Sequence, residues 1–596
     1  MELLNLDGVI EKGVFEIPSY QRGYAWQKEQ LKDFWNDLEH VSKLGDKFHY
    51  MHSLTLRELE NEFESSAFEI IDGQQRLATS LILLGLLAKT TQNKDPKYSL
   101  INLEPILSYK YYGLSEAFRA ITEEEKDLEA FKTSFYAKNL IKAYAFFKEK
   151  ISDTPIETLE KMFDALIKKM LFSVVELNDN RIDPFSSFET INNRGKDLST
   201  LELLKNRLHF VAHKICDEGD LENLQQEIND TYTRIYHDLR FFEDTHLGDF
   251  LKYFVAYYYG EKKDFKERLL NTAFDAHKKY DDLYDEYEKI NDLLLYLSYS
   301  SKVWYFLHTL DDEELRIEIT PKMCGLLDKM RLLNALSDNA FLPLLLSLLT
   351  IQLAVRSGSE RHYTTKELEG LLEYLERFGF LIYGVAGKNT AKNEWIELAF
   401  QAFRAYRSWE DRITIEDLPT LEKNFFKGEH SGLELLEESI HSKKNTEKWY
   451  RWGKALNYLL YEYELYHNPE TTLNFDGSIE SIEHILPQKP DQGYSAKEKS
   501  WAKNPHIVHA LGNLLLIPKN ANSSLSNKPF EEKRKAYLKG SYSEKEVAKN
   551  ASFGIVEIQK RSEKLLDFLI ARYRIAELVG ENAIKAFKNA LLKEIK

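Results

Sequence analysis

Two stretches near the carboxyl end hold the residue types that phosphodiester hydrolysis needs. SIEHILPQ, 481–488, closes an apolar run with Glu483 and His484. HALGNLLLIPKNANSSLSNKPFEEKRKAY, 509–537, sets Asn513 ahead of a second apolar run, Asn522 nine residues later, and a basic amphipathic stretch beyond. Two short apolar runs followed by helical spacing predict strand, strand and helix, with the polar residues at the joints. Such a set suits hydrolysis assisted by one hard divalent cation, Mg²⁺ or Mn²⁺. Oxygen donors hold the ion, coordination positions stay open for phosphate and water, and a neutral imidazole takes the water's proton. Glu483 and Asn522 are the candidate metal oxygens, and His484 the candidate base. Taken singly, each has a plainer reading, His484 as a satisfied core histidine and the asparagines as turn and cap residues; only the ordered set argues for chemistry.

The amino-terminal end carries a second constellation: FEIPSYQRGYAWQKEQLKDFWNDL, 15–38, and FEIIDGQQRLATSLILLGLL, 68–87. VFEIP predicts a strand stopped by Pro18, and Gln27 to Leu38 has helical apolar spacing. FEII predicts a strand, DGQQR a turn, and LATSLILLGLL a buried helix. A strand delivering Asp72, Gly73, Gln74, Gln75 and Arg76 to a helix N-terminus is a plausible phosphate cradle, with Gly73 admitting the backbone and Arg76 adding a bidentate cation. It is not a P-loop, since no GxxxxGK[ST] occurs.

These sites need a large scaffold, and 596 residues provide two or three domains. From about Leu201 to Tyr466 the chain is rich in Leu, Tyr, Phe, Glu and Lys with few Pro and Gly, which predicts mainly helix. The aromatic set at 296–306 fits a buried helix face better than a base-stacking platform. Expected segments are 1–210, a helical middle 211–466, and 467–596, with further seams near 215–230, 357–367 and 467–478. FLPLLLSLLTIQLAV, 341–355, is too short for a membrane span and predicts a buried helix. MELLNLDGVIEKG lacks a basic-then-apolar leader, so a cytoplasmic protein without a membrane partner is expected. Two cysteines, Cys216 and Cys324, support neither a disulfide scaffold nor a thiolate zinc site. The net charge of −16 is uneven: residues 481–596 hold 21 Lys+Arg against 13 Asp+Glu, a net of +8, which leaves −24 on 1–480. Lys528, Lys533, Arg534 and Lys535 thus form a candidate DNA track beside His484, although a solvated helix face would read the same way.

The carboxyl-terminal segment resembles the HNH domain of the GmrSD-type, modification-dependent restriction endonucleases, whose pattern runs acidic residue, His, Ile, a near-invariable Pro, then L-G-N-L, then N-x-x-L-S-N-K. Every element is present, ending at Asn527 and Lys528. The resemblance implies a ββα-metal fold with His484 as general base, Glu483 and Asn522 facing metal, and Asn513 orienting the imidazole or the backbone beneath it. Glu for the usual Asp and Asn for the usual last His are departures. The amino-terminal half is similar to the ParB/sulfiredoxin-like domain of the same family, marked by IPxYQRxYxW (Tyr20, Gln21, Arg22, Tyr24, Trp26), by DGQQR, and by INNRG…LLKN (Asn192, Asn193, Arg194, Gly195, Lys205). It implies an NTP site at Gln21, Arg22 and Asp72 to Arg76, with GTP, ATP or another nucleotide left open. His52 stands where relatives usually carry a small residue, so its ring is expected to narrow the adjacent pocket.

Together these readings predict an α+β, predominantly helical protein: a ParB-like α/β domain, a helical middle and a ββα nuclease domain. The expected activity is NTP-regulated, metal-dependent cleavage of double-stranded, modified phage DNA, with a homodimer as one assembly. Two alternatives share the motifs: a nucleotide-gated DNA-binding regulator with an inactive nuclease domain, and an infection-triggered nuclease acting on RNA or DNA generally.

Overall fold

The computed structural model describes residues 2–595 apart from 20, 60–65, 93–105, 112, 123–126, 178–198, 262, 281, 312–314, 316–318, 356–362, 476–478 and 491. Two compact units emerge, Met1–Phe306 and Leu307–Lys596. The architecture is α+β and predominantly helical, as expected. The helical stretch 211–466 does not stand as a body of its own, because its helices are shared between the two units.

The first unit is organised by a mixed six-stranded sheet. Strands β1 (Glu2–Asn5), β2 (Val14–Ile17), β3 (His49–Leu59), β4 (Ala67–Asp72), β5 (Leu107–Tyr109) and β6 (Met170–Glu176) lie in the order β1-β6-β3-β4-β2-β5. β2 runs parallel to β4 and β5, β3 parallel to β6, and β3 antiparallel to β4. β2 ends before Pro18, which has no N–H to continue a ladder. Helix α1 (Lys28–Ser42) buries Leu31, Phe34, Trp35, Leu38 and Val41, the apolar stripe seen in the sequence. Helix α2 (Gln74–Thr90) is buried from Leu77 to Ala88, since helices α3 (Phe135–Ser152) and α4 (Ile156–Lys168) pack against it.

The acidic stretch near 215–230 is not a seam. Helix α5 (Thr200–Ile215) is followed directly by a helix over Glu218–Asp238 that buries Leu224, Ile228, Tyr232, Ile235 and Tyr236. Asp220, Glu222, Glu227 and Asp230 occupy the solvated face, so charge density there marks exposure and not a break. Residues 296–306 lie in the helix Leu283–Thr309, where Tyr296, Trp304 and Phe306 are buried.

In the second unit, helix α6 (Leu342–Ala354) is buried from Leu342 to Gln352. Among the described residues no helix is long and apolar enough to cross a membrane. Near the carboxyl end, β7 (Glu480–His484) and β8 (Leu514–Pro518) pair antiparallel, with Glu483 opposite Leu515 and His484 opposite Leu514. Between and after them come helices α7 (Pro505–Val508), α8 (Lys519–Leu525), α9 (Phe530–Tyr537) and α10 (Ile555–Arg572). Leu515 and Ile517 of β8 enter a core with Ile485, Leu486, Ile507, Tyr537 and Ile558. The strand, strand, helix order read from the sequence is present.

Candidate functional site

β7 delivers Glu483 and His484 at its last two positions, and alternation sends them to opposite sides of the two-stranded sheet. His484 is 7% exposed. Its Nε2 lies 3.0 Å from Nδ1 of His509, and its Nδ1 lies 3.4 Å from Nε2 of Gln488. The Tyr450 ring packs on both imidazoles, 4.9 Å from His484 and 5.7 Å, nearly parallel, from His509. Burial, then the neighbouring His509 and Lys533, push the His484 imidazolium down to about 3, and burial lowers His509 as well. His484 therefore stays neutral across the physiological range by a wider margin than its ordinary value gives.

Asn513 is fully buried. Its Oδ1 accepts from Leu486 N–H at 2.7 Å, and its Nδ2 donates to Leu486 C=O at 2.9 Å and to Val508 C=O at 2.7 Å. One side chain thus fastens the residue two beyond His484 to the residue just before His509. All three of these Asn513 bonds are to main chain. The preceding Gly512 serves the same turn, since a Cβ there would lie 2.0 Å from the Ile558 carbonyl of α10. Arg561 of α10 donates to the Gly512 and Leu514 carbonyls.

Two expectations are corrected here. Lys533, placed by sequence on a basic DNA-facing surface, is 0% exposed. Glu483, expected to face a metal, points into the core beside it. Lys533 Nζ lies 2.6 Å from Glu483 Oε1 and donates to the carbonyls of His484 at 2.8 Å and Ile485 at 3.3 Å, while Tyr537 O–H donates to the same Oε1 at 3.0 Å. Helical spacing explains the reversal. Lys533 and Tyr537 are four residues apart on α9, so the face that buries Tyr537 also buries Lys533, and a buried ammonium requires a carboxylate. Burial raises Glu483 and lowers Lys533, each against the pull of its partner. Arg534 is half-buried and gives its Nε to Ala548 C=O at 2.7 Å, while Lys528 and Lys535 are exposed. Lys528 and the half-buried Asn527 line an open groove of about 540 Å³ with Gln492, Ser526 and Pro529.

A divalent ion needs oxygen donors, and the fit is uneven. Glu483 already carries an ammonium and a phenol. Asn522, on α8, donates its Nδ2 to Ser481 Oγ at 2.8 Å and Ile482 C=O at 3.1 Å, which leaves Oδ1 as the oxygen it can present. Among the described residues no three His, Cys, Asp or Glu side chains converge.

The amino-terminal motifs hold each other. Gln21 Nε2 donates to Ile70 C=O at 2.8 Å, Gln74 Nε2 to Arg22 C=O at 3.1 Å, and Gln75 Nε2 to Gly23 C=O at 3.0 Å. Gln75 Oε1 accepts from Ala25 N–H at 2.8 Å. The three glutamines thus commit their amide nitrogens to main chain, while Gln74 Oε1 is buried with no hydrogen-bond partner among the described residues. Arg22 pairs with Glu202 at 3.1 Å. Arg76 Nη2 donates to Ser53 C=O at 2.8 Å and to Asp72 at 3.2 Å. Gly73 has φ +100°, and a Cβ there would lie 3.0 Å from Ser53 C=O. Glycine is required there by the left-handed backbone and by the approach of β3. Tyr24 is buried, its hydroxyl 2.7 Å from Thr79, and Trp26 packs on Phe34. Lys205 is buried, and desolvation lowers its ammonium to about 7 against the pull of Glu69 and Glu202. His52 is exposed at φ +66°, beside a register shift in β3. A left-handed backbone, and not pocket width, is what that position demands. Tyr20, Asn192, Asn193, Arg194 and Gly195 lie outside the described residues.

Sequence reading missed His509, Tyr450, Tyr537 and Glu202. His509 sat within the quoted HALGN segment, and as one of only 16 histidines it was the signal available. The other three are ordinary in type and spacing.

Residues 3–209 match the family described as GmrSD restriction endonuclease, N-terminal domain, and residues 436–568 match GmrSD restriction endonucleases, C-terminal domain. No curated protein matches the chain significantly.

Proposed function

This chain belongs to the GmrSD restriction endonuclease family, and from that premise we propose that its carboxyl-terminal strand–strand–helix unit is an HNH-type active site that cleaves modified foreign DNA under nucleotide control. The chain is a restriction-type nuclease and binds DNA. The observation that supports the site most is His484 at the end of β7, held by His509 at 3.0 Å, with Asn522 of α8 bonded to Ile482 on the same strand. His484 takes the proton of the attacking water. Negative phosphate brought beside it on DNA binding raises its proton affinity. Glu483 and Lys533 fix the strand end from which His484 projects, and Lys528 and Lys535 meet phosphates.

Metal dependence is part of the proposal. Mg²⁺ usually keeps several waters and is held through one or two carboxylates plus substrate phosphates; here Asn522 Oδ1 would add one neutral oxygen beside phosphate and water, while Glu483 is engaged by Lys533 and Tyr537. A divalent ion held there would supply positive charge at the phosphate oxygens. His484→Ala should lower single-turnover plasmid nicking in Mg²⁺ or Mn²⁺ by about 10²–10⁴-fold with DNA binding retained. Wild-type nicking by that variant would remove His484 as base, and running RNA beside DNA separates a general nuclease from a DNA-specific one.

For the nucleotide, we infer that Arg76 of α2, the cation at the β4–α2 turn, is the group that responds to phosphate, by exchanging its contacts with Asp72 and the Ser53 carbonyl for it. A nucleotide that binds two conformations unequally shifts the enzyme between them. Arg76→Ala should weaken NTP binding and change cleavage of modified DNA, leaving cleavage chemistry at His484 intact. Identical cleavage by wild type and Arg76→Ala with every NTP, on matched modified and unmodified DNA, would exclude the coupling.

A further inference from the structure

His509 sits at the carboxyl end of α7, and its Nδ1 is 3.0 Å from His484 Nε2. One hydrogen lies between those two nitrogens, and its owner decides what the other side of each ring can do. The second neighbour resolves the ownership. Gln488 Nε2, an amide nitrogen that only donates, stands 3.4 Å from His484 Nδ1. A nitrogen facing a donor must offer its lone pair, so the hydrogen of the neutral His484 ring belongs on Nε2. Nε2–H then donates to His509 Nδ1, and the His509 hydrogen falls on its own Nε2. The reverse assignment would set His484 Nδ1–H against the Gln488 N–H.

We propose that His509 is a positioning residue that fixes the His484 tautomer, leaving the Nδ1 lone pair of His484 as the one that takes the water's proton once the attacking water displaces the Gln488 N–H that faces it at 3.4 Å; this rests on the reading of His484 as the base. Three features hold the arrangement. Asn513 ties Leu486 to Val508, next to the two histidines, so their backbones cannot drift apart. Tyr450 packs flat on His509 and against His484, which restrains both rings. His509 is 8% exposed, so little water competes for its Nδ1. A partner that fixes ring orientation and tautomer without touching substrate can be worth several orders of magnitude in rate elsewhere in hydrolase chemistry.

The test pairs rates with a direct reading of the rings, using the full-length protein. Histidine-selective ¹⁵N labelling and long-range ¹H–¹⁵N spectra, assigned with His484→Gln and His509→Asn, report which nitrogen of each ring is protonated. Wild type should show His484 protonated at Nε2 only. His509→Leu should show mixed tautomers and a single-turnover nicking rate lower by on the order of 10²-fold, with DNA affinity unchanged. His509→Asn, whose Oδ1 replaces Nδ1 as acceptor, should recover the rate to within about 5-fold and restore the single tautomer. A wild-type His484 protonated at Nδ1 overturns the proposal, as does a His509→Leu enzyme that cleaves at the wild-type rate. A His509→Asn enzyme as slow as His509→Leu also overturns it. The wild-type spectrum needs no variant to fold. If His484→Ala cleaves normally while the tautomer is as expected, the nuclease reading fails and the ring assignment stands.

Discussion

Glu483→Gln and Lys533→Met should each destabilise the second unit by about 3–5 kcal/mol, because removing one half of a buried ion pair leaves the other half charged and desolvated. Lys533 is 0% exposed and Glu483 3% exposed. The loss should appear as a fall in unfolding midpoint on the order of 10 °C and as a parallel loss of nicking, since the ammonium also holds the His484 and Ile485 carbonyls. The double variant Glu483→Gln/Lys533→Met should regain at least half of the stability lost and a measurable part of the activity. That recovery separates an anchor from a metal ligand. If Glu483 held the ion, neutralising Lys533 as well could not restore cleavage, and the double variant would have wild-type stability with no activity and a metal requirement shifted upward.

Asn513→Ala should cost about 3 kcal/mol or more. It strands one buried N–H and two buried carbonyls at once, each worth about 1–3 kcal/mol when left unsatisfied. It also frees the turns on either side of the two histidines. Cleavage should fall further than stability alone explains: at a temperature where the variant is still fully folded, single-turnover nicking should drop by at least about 10²-fold. Asn513→Asp, which keeps the Oδ1 acceptor but replaces the Nδ2 donor, should fare little better. A folded Asn513→Ala enzyme with wild-type kinetics would show that the clamp is dispensable for the geometry of His484.

Several features of this protein were legible before any coordinates. Local periodicity sufficed for β2, β4, α1 and the buried helices α2 and α6, because each is decided by whether apolar residues recur at two, three or four, or fill a segment throughout. Motif order sufficed for the family, and residue type for the neutral imidazole of His484. Partnership between distant side chains was not legible. Lys533 reads as surface charge in an alternating basic helix, and only the packing of α9 against β7 turns it inward onto a carboxylate 50 residues earlier. Gly73 and His52 read as features of a ligand pocket, and only the structure shows the backbone demand at each, a left-handed conformation at both and the approach of β3 at the first. The glutamines of DGQQR read as ligands, but a buried turn must satisfy its main chain first, and they do so for the facing segment 22–25. His509 is the clearest case. Its value lies in a 3.0 Å contact across 25 residues, a distance that hydrophobic pattern and charge cannot encode and that the closing of β7 on β8, with Asn513 between them, creates.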